Sequence, residues 1–463
     1  MTLTAAVVAA LRDGLAEIRR QFDVPESFPA DVLAVADEAA RRTFGPETGH
    51  VDRTAVEFLT IDPLGSTDLD QAFAFERSGA EIVLHYAIAD VMSFVDPGGV
   101  IDAESWRRGL TIYLPDGRAG LHPPQLSEGA ASLLPDGDRP AVVFTVRVGE
   151  DGVPHLDGVE RALVRSRAQL AYETVRDDEL PAELAELARR IDDAERARGV
   201  DRIEFPEQEV EQTADGFALR FRPRLSVELH GSAMSLATNL AVADVLFAAG
   251  TGLFRTMPGL DDAGERRLRH AARAFGLDWP ADVDVVTFER SLPRTDPRAA
   301  AFQLALRRFS GSASYEPYRP GEVPWHAAIG ANYVHATAPL RRLGDRYVVE
   351  AALAIANGGD VSPVVAEAFE QLPDTMRRTG SHASQVERAA VDLAEAVVLA
   401  GREGEVFTAV VTDEDERGVR IQLTDPAVIA RTVARRVDPG DEIQVKLVRA
   451  DAVSRQVEFA RVG

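Results

Sequence analysis

The chain has 463 residues, with 45% hydrophobic and 27% charged side chains and a net charge of −24, which is room for roughly two to four domains around a sizeable core. It has no cysteine, which excludes disulfides, thiolate metal sites and cysteine nucleophiles and suits a reducing compartment. No apolar run reaches the roughly 18 residues of a membrane span, and the start has none of the sections of a signal peptide, so a cytoplasmic location with no membrane partner is expected.

The acidic balance opposes indiscriminate contact with nucleic acid. Yet the cations are almost all arginine, and Lys446 is the only lysine. Arginine makes forked contacts to phosphate. An acidic shell around an arginine-lined channel fits both facts, and so does a codon usage that favours arginine.

Two helices are expected at the start. Ala5 to Phe22 carries Val7, Val8, Leu11, Leu15, Ile18 and Phe22 at helical spacing, and Ala30 to Thr43 follows after Pro25 and Pro29. They read as a helix-turn-helix-like module or as a helical cap on the next domain.

Strands dominate residues 51–175: Val56 to Ile61, Ala72 to Phe75, Ile82 to Ile88, Thr111 to Leu114, Ala141 to Val146 and Val159 to Ser166. Leu114 to Pro140 is rich in Pro and Gly and reads as an irregular excursion. Helices are expected over Pro181–Arg198, Leu229–Ala249, Ala263–Phe275, Arg298–Phe309, Leu340–Asn357 and Ser384–Ala400, with a polar hairpin from Glu204 to Arg222 turning at Asp215-Gly216. Ser310 to Pro339 is helix-poor but aromatic, which argues for an ordered functional loop. From residue 404 short strands return, and about five strands in sixty residues suit an OB-type barrel.

The segment that carries chemistry runs from Thr60 to Gln71. Asp62, Asp68 and Asp70 are gathered around a Pro63/Gly65 turn between two strands. Close carboxylates repel and are costly to desolvate unless a cation neutralises them. Mg2+ does this with few protein ligands, since it keeps waters and takes phosphate oxygens. A turn using Asp for local hydrogen bonds is the plain alternative. His85 and His335 lack a metal-ligand spacing. There is no P-loop, dinucleotide fingerprint or serine elbow, and no small-molecule cofactor is expected.

Four segments, in order, resemble the RNB exoribonucleases, the ribonuclease II/ribonuclease R family. They are Thr60-Ile61-Asp62 through Asp68-Leu69-Asp70; Ile88-Ala89-Asp90-Val91 with Arg108-Gly109, Tyr113-Leu114-Pro115, Leu126-Ser127, Ser132-Leu133 and Arg139; Tyr333-Val334-His335-Ala336-Thr337-Ala338-Pro339-Leu340-Arg341-Arg342-Leu343-Gly344-Asp345; and Gln385-Val386-Glu387-Arg388 with Gly404-Glu405-Val406-Phe407. Three departures stand out. Gln71 occupies the place of the family's fourth aspartate. The family's Glu-Glu pair is absent at Ser232-Ala233. Residues 1–50 are too short and too helical for the family's cold-shock barrels.

The resemblance implies an α+β chain with a helical module at 1–50, an RNB catalytic domain at 51–403 and an S1-like barrel at 404–463. It implies a monomeric 3′→5′ exoribonuclease that hydrolyses single-stranded RNA processively to 5′-nucleotides. Asp62, Asp68, Asp70 and Gln71 would hold Mg2+ or Mn2+. Asp70, Asp68 and Arg341 would serve the chemical step, with Arg341 on the scissile phosphate. Tyr113 would stack on the terminal base, Glu387 would contact a ribose hydroxyl or simply pair with Arg388, and Arg342 would contact RNA or pair with Asp345 at i,i+3 spacing. Two alternatives follow: an RNA-binding protein with feeble catalysis because Gln71 weakens the metal site, and a nuclease that also accepts DNA.

Overall fold

The computed structural model describes residues 5–462 apart from 136, 201–206, 214–215, 223, 294–297, 299–301, 304, 307–308, 416–417 and 424. The fold is mixed α+β. Its centre is a seven-stranded sheet in the order β1-β8-β7-β4-β3-β2-β9. The strands are β1 (Val51–Asp52), β2 (Phe58–Asp62), β3 (Gln71–Ser78), β4 (Glu81–Ala89), β7 (Arg139–Val148), β8 (Pro154–Val164) and β9 (Ser166–Ala171). β5 (Ile112–Leu114) and β6 (Gly117–Ala119) form a separate small hairpin inside the excursion read as irregular.

Alternation decides which face of the sheet each side chain enters. Along β4, Ile82, Leu84, Tyr86 and Ile88 enter the larger core, which also holds residues of α4 (Ala182–Ala197), α5 (Ser226–Ala248) and the Leu343–Ala356 helix. Ala87 and Ala89 face the opposite way, onto α2 (Ala30–Ala39) and α3 (Val100–Arg108). The sheet is thus covered on both faces. By composition α5 could cross a membrane, but much of it, including Met234, Leu236, Leu240, Val242 and Leu246, is buried in this core.

Helices stand at the N-terminal end as expected, but they seat in different cores. α1 (Ala5–Gln21) puts Leu11, Leu15 and Ile18 into a core with the C-terminal strands, while α2 puts Val32, Ala36 and Ala39 under the central sheet. α2 contains Asp31, Asp37 and Glu38 and no basic residue, so it has no charge with which to meet a phosphate backbone.

The last helix is longer than expected. It runs Pro363–Leu399 over 37 residues with Pro373 inside it, which is about 55 Å at 1.5 Å per residue. Pro373 reads as a breaker in sequence. Here burial of Val365, Phe369, Leu372 and Met376 on one side of the break and Val386, Leu393 and Leu399 on the other holds the helix together. The five strands Val406–Asp415, Gly418–Leu423, Ile429–Thr432, Glu442–Asp451 and Gln456–Val462 then pair antiparallel into one sheet, the expected S1-like barrel. The polar hairpin is present as β10 (Glu207–Thr213) and β11 (Gly216–Arg222); its turn residue Asp215, its expected start at Glu204 and much of the helix expected over Arg298–Phe309 lie outside the described residues.

Candidate active site

β2 and β3 are antiparallel neighbours, so the end of one lies beside the start of the other. Asp62 closes β2 and Asp70 immediately precedes β3. The loop between them turns at Gly65 with φ +83°, a backbone that suits glycine, and is anchored at Leu69, fully buried, whose N–H donates to Ser132 Oγ at 2.9 Å.

Asp70 is buried, with one carboxylate oxygen accepting the Leu340 N–H at 2.7 Å and the other 3.3 Å from Arg341 Nε. Burial pushes its carboxyl up to about 7, against the opposing pull of the Arg341 charge. Asp62 is pushed up to about 8, first by burial and then by the negative charge of Asp70. Two carboxyl groups thus share a pocket with too little positive charge to ionise both at ordinary pH. Arg341 keeps its side chain 48% exposed, leaving part of its guanidinium open to a ligand.

Asp68 is placed otherwise than expected of a metal ligand. Its Oδ1 accepts Arg118 Nη1 at 2.5 Å and its Oδ2 accepts the Tyr113 hydroxyl at 3.1 Å. Arg118 supplies the counter-charge that a metal would otherwise provide. Tyr113 and Arg118 are opposite one another across the β5–β6 hairpin. The ring of Tyr113 remains 49% exposed.

Gln71 is likewise committed elsewhere. Its Nε2 donates to the Thr337 carbonyl at 2.5 Å and its Oε1 accepts the Tyr86 hydroxyl at 2.7 Å. This amide ties β3 to the segment before Arg341. Arg342, expected at the RNA, forks onto the buried Asp345, Nε at 3.0 Å and Nη2 at 2.6 Å, within one helical turn. Asp345 in turn accepts the Ala338 N–H at 2.8 Å. This pair shapes the turn that presents Arg341.

Glu387 is exposed on the long helix. It lines a polar cavity of about 370 Å³ with Tyr172, Arg222, Arg224, Glu228 and Ser232. The Tyr172 N–H donates to the Asp62 carbonyl at 3.1 Å, so the cavity borders the acidic site at that residue. His335 Nδ1 and the Tyr315 hydroxyl are hydrogen-bonded at 2.7 Å, and burial and the Arg342 charge hold the imidazole well below its usual range.

Sequence reasoning missed Arg118, Tyr172, Tyr86 and the Leu340 N–H. One of the four had a signal. Pro115-Asp116-Gly117 is a hairpin turn, and it sets Arg118 across from Tyr113. The others are tertiary contacts with no local signature.

Among the described residues no three acidic or histidine side chains converge on one point. Asp62 and Asp70 are nonetheless a donor set that suits a hard divalent ion. Mg2+ is held by one or two carboxylates, with waters and phosphate oxygens completing its shell, and a dication would relieve the charge conflict described above.

An RNB domain matches residues 51–355, and an RNase II-type exonuclease C-terminal S1 domain matches residues 405–462. Ribonuclease R of Thermotoga maritima is 23% identical over 96% of this chain and 69% of its own. Exoribonuclease 2 of Cronobacter sakazakii is 27% identical over 82% of this chain and 62% of its own. The chain therefore spans about two thirds of the curated relatives it matches. Among solved structures, Mycoplasma genitalium RNase R in complex with ribose-methylated single-stranded RNA superposes with a TM-score of 0.85 at 19% identity, covering 98% of this chain and 78% of that one. Yeast Ssd1, described as a pseudonuclease, superposes with a TM-score of 0.67 at 15% identity, over 94% of this chain and 57% of that one. With the RNB domain covering most of its length and an RNase II-type S1 domain behind it, the chain belongs to the RNB family of ribonucleases.

Proposed function

We propose that this chain is a metal-assisted exoribonuclease that hydrolyses single-stranded RNA from the 3′ end to 5′-nucleotides. RNB nucleases generally depend on a divalent metal. The observation that carries the reading is the half-exposed Arg341 set against the buried Asp70, beside a second carboxyl at Asp62.

Asp62 and Asp70 would hold the ion, Mg2+ or Mn2+. When bound, it supplies neutralisation of the phosphate charge and an acidified water. The chain's own residues do the rest. Arg341 forks onto the phosphate and offsets the charge that develops there. The Leu340 N–H keeps Asp70 in one rotamer, so the carboxylate and the guanidinium keep their relative pose. The exposed ring of Tyr113 gives the terminal base a stacking surface that is indifferent to sequence. Glu387, which lines the same cavity as Tyr172, would contact a ribose hydroxyl. On this reading the division falls at 50/51 and 403/404, and the chain works as a cytoplasmic monomer.

The test is a time course on 5′-labelled RNA with a 3′ tail, in Mg2+ or EDTA, for the wild type and Asp70→Asn. Stepwise shortening that EDTA and the substitution both abolish is expected. A second reading rests on Gln71, whose amide is occupied on both sides: an RNA-binding protein on an RNB scaffold. Intact RNA bound by the wild type across a range of Mg2+ and Mn2+ would favour it.

A further inference from the structure

The β5–β6 hairpin that carries Tyr113 has three residues in each strand. A two-stranded ribbon of that size is not stable alone. Its pose is set by what it leans on, and three supports are visible.

The first is the active site. Outward-facing Tyr113 and Arg118 bond Asp68, as described. At the root of the hairpin the Thr111 N–H donates to the Arg341 carbonyl at 3.0 Å, and the Leu343 N–H donates to the Gly109 carbonyl at 3.0 Å. Gly109 has φ +69°, and a Cβ there would lie 2.3 Å from Thr379 Oγ1, so only glycine lets the root approach the long helix this closely. The second support is apolar. Ile112, Leu114 and Ala119 point inward and share a core with Leu11, Leu15 and Ile18 of α1 and with Val386 and Leu393 of the long helix.

The third support is Arg19, in the last turn of α1. Its guanidinium meets Asp116 at the tip of the hairpin in a two-pronged ion pair, 2.6 Å and 2.9 Å. Both side chains are largely shielded, at 17% and 25% exposure. α1 itself is firmly seated. His382 Nε2 of the long helix donates to the Phe22 carbonyl at 2.6 Å, and a Cβ on Gly14 would lie 2.5 Å from a Leu393 methyl. The tip of the hairpin is therefore referenced to the long helix through α1, and its root to the Arg341 turn.

We propose that α1 is a working part of the clamp on the RNA 3′ end, with Arg19 and Asp116 as positioning residues that set the height of the Tyr113 ring over the acidic site. This rests on the reading of Tyr113 as the platform for the terminal base. Stacking needs the ring at a narrow range of heights and offsets, and a hairpin freed at its tip samples a wider range. The N-terminal helix thus acts from within the fold, on the substrate end.

The test uses the full-length protein in EDTA and a single-stranded RNA ending in 2-aminopurine, whose fluorescence falls when the base stacks. A 5′ dye reports total binding by anisotropy. Quenching is read at saturating protein, so it measures how much bound RNA is stacked and not how much is bound. Tyr113→Ala should abolish the quench. Arg19→Ala and Asp116→Asn should cut the stacked fraction by about half or more, as expected for loss of a shielded surface pair, with little change in melting temperature. The charge-swapped pair Arg19→Asp with Asp116→Arg should recover it, which a merely stabilising helix would not explain. Full quenching in Arg19→Ala and Asp116→Asn, alongside a lost quench in Tyr113→Ala, overturns the role of α1 and leaves the platform standing. Quenching that survives Tyr113→Ala overturns the platform, and the clamp with it.

Discussion

The Leu340 N–H donates to Asp70 Oδ1 at 2.7 Å, joining two segments 270 residues apart. One is the acidic loop between β2 and β3 of the central sheet; the other is the turn that presents Arg341. A single backbone hydrogen bond thus fixes the carboxylate and the guanidinium that faces it.

Replacing Arg341 tests that pairing. Arg341→Ala should lower the single-turnover cleavage rate by about a hundredfold or more, the scale for losing one preorganised charge at a reacting phosphate. Arg341→Lys should recover only part of the rate, because an ammonium cannot fork. A Lys variant at full rate would show that charge alone is used. Rapid-quench measurement on a short labelled RNA decides it.

Gln71→Asp restores the acidic residue that the family places there, but in a site built for an amide. The shorter side chain gives up the donor to Thr337 and adds a third carboxyl beside Asp62 and Asp70. The metal-free variant should lose about 1–3 kcal/mol of stability, the scale for leaving a buried polar group unsatisfied. Metal should restore more stability to it than to the wild type. Thermal melting with EDTA and with Mg2+ gives both numbers.

Asp68→Asn separates anchor from ligand. If Asp68 holds the hairpin, the variant should keep its Mg2+ affinity within about twofold while RNA affinity falls several-fold, since a shielded charge-assisted bond to Arg118 is weakened. A loss of metal affinity of tenfold or more would return Asp68 to the metal shell. Isothermal titration with Mg2+ alone, then with RNA in EDTA, reads the two separately.

The acidic pair should make metal binding pH-dependent. Asp70 and Asp62 titrate near 7 and 8 in the metal-free protein, and an ion must displace those protons. Affinity should therefore climb as pH rises from about 6 to 8 and level off above, with protons released on binding. The folded metal-free protein also holds protons that the unfolded chain has lost above about pH 4. Its stability should fall as pH rises from there towards 8. Titration calorimetry in buffers of different ionisation enthalpy measures the released protons; a flat affinity profile would contradict the raised carboxyls.

How much of this was legible in the sequence differs from residue to residue. Alternation in β4 and the short strands after residue 404 carry their own period, so the sheet and the barrel could be read directly. Asp62 and Asp70 were legible because three aspartates crowd one turn. The duties of Asp68 and Gln71 were not, since each is decided by a partner brought in from elsewhere: Arg118 from the hairpin, Thr337 from the far side of the domain. Arg342 was legible as an i,i+3 partner of Asp345, and local geometry prevailed. The long helix starts at Pro363 and not at Ser384, because burial on both sides of Pro373 overrides the local meaning of a proline.

The core that seats the Tyr113 hairpin draws Leu11 from one end of the chain and Phe459 from the other. A ribosome makes these residues in order, so α1 emerges with its apolar face unpaired and stays so until the long helix and the barrel strands have followed. The central sheet can close long before that. The hairpin that reaches Asp68 gains its apolar support only when the long helix arrives. On this layout the substrate end of the site matures after the sheet, and a nascent chain lacking the long helix holds the acidic pair without the finished clamp above it.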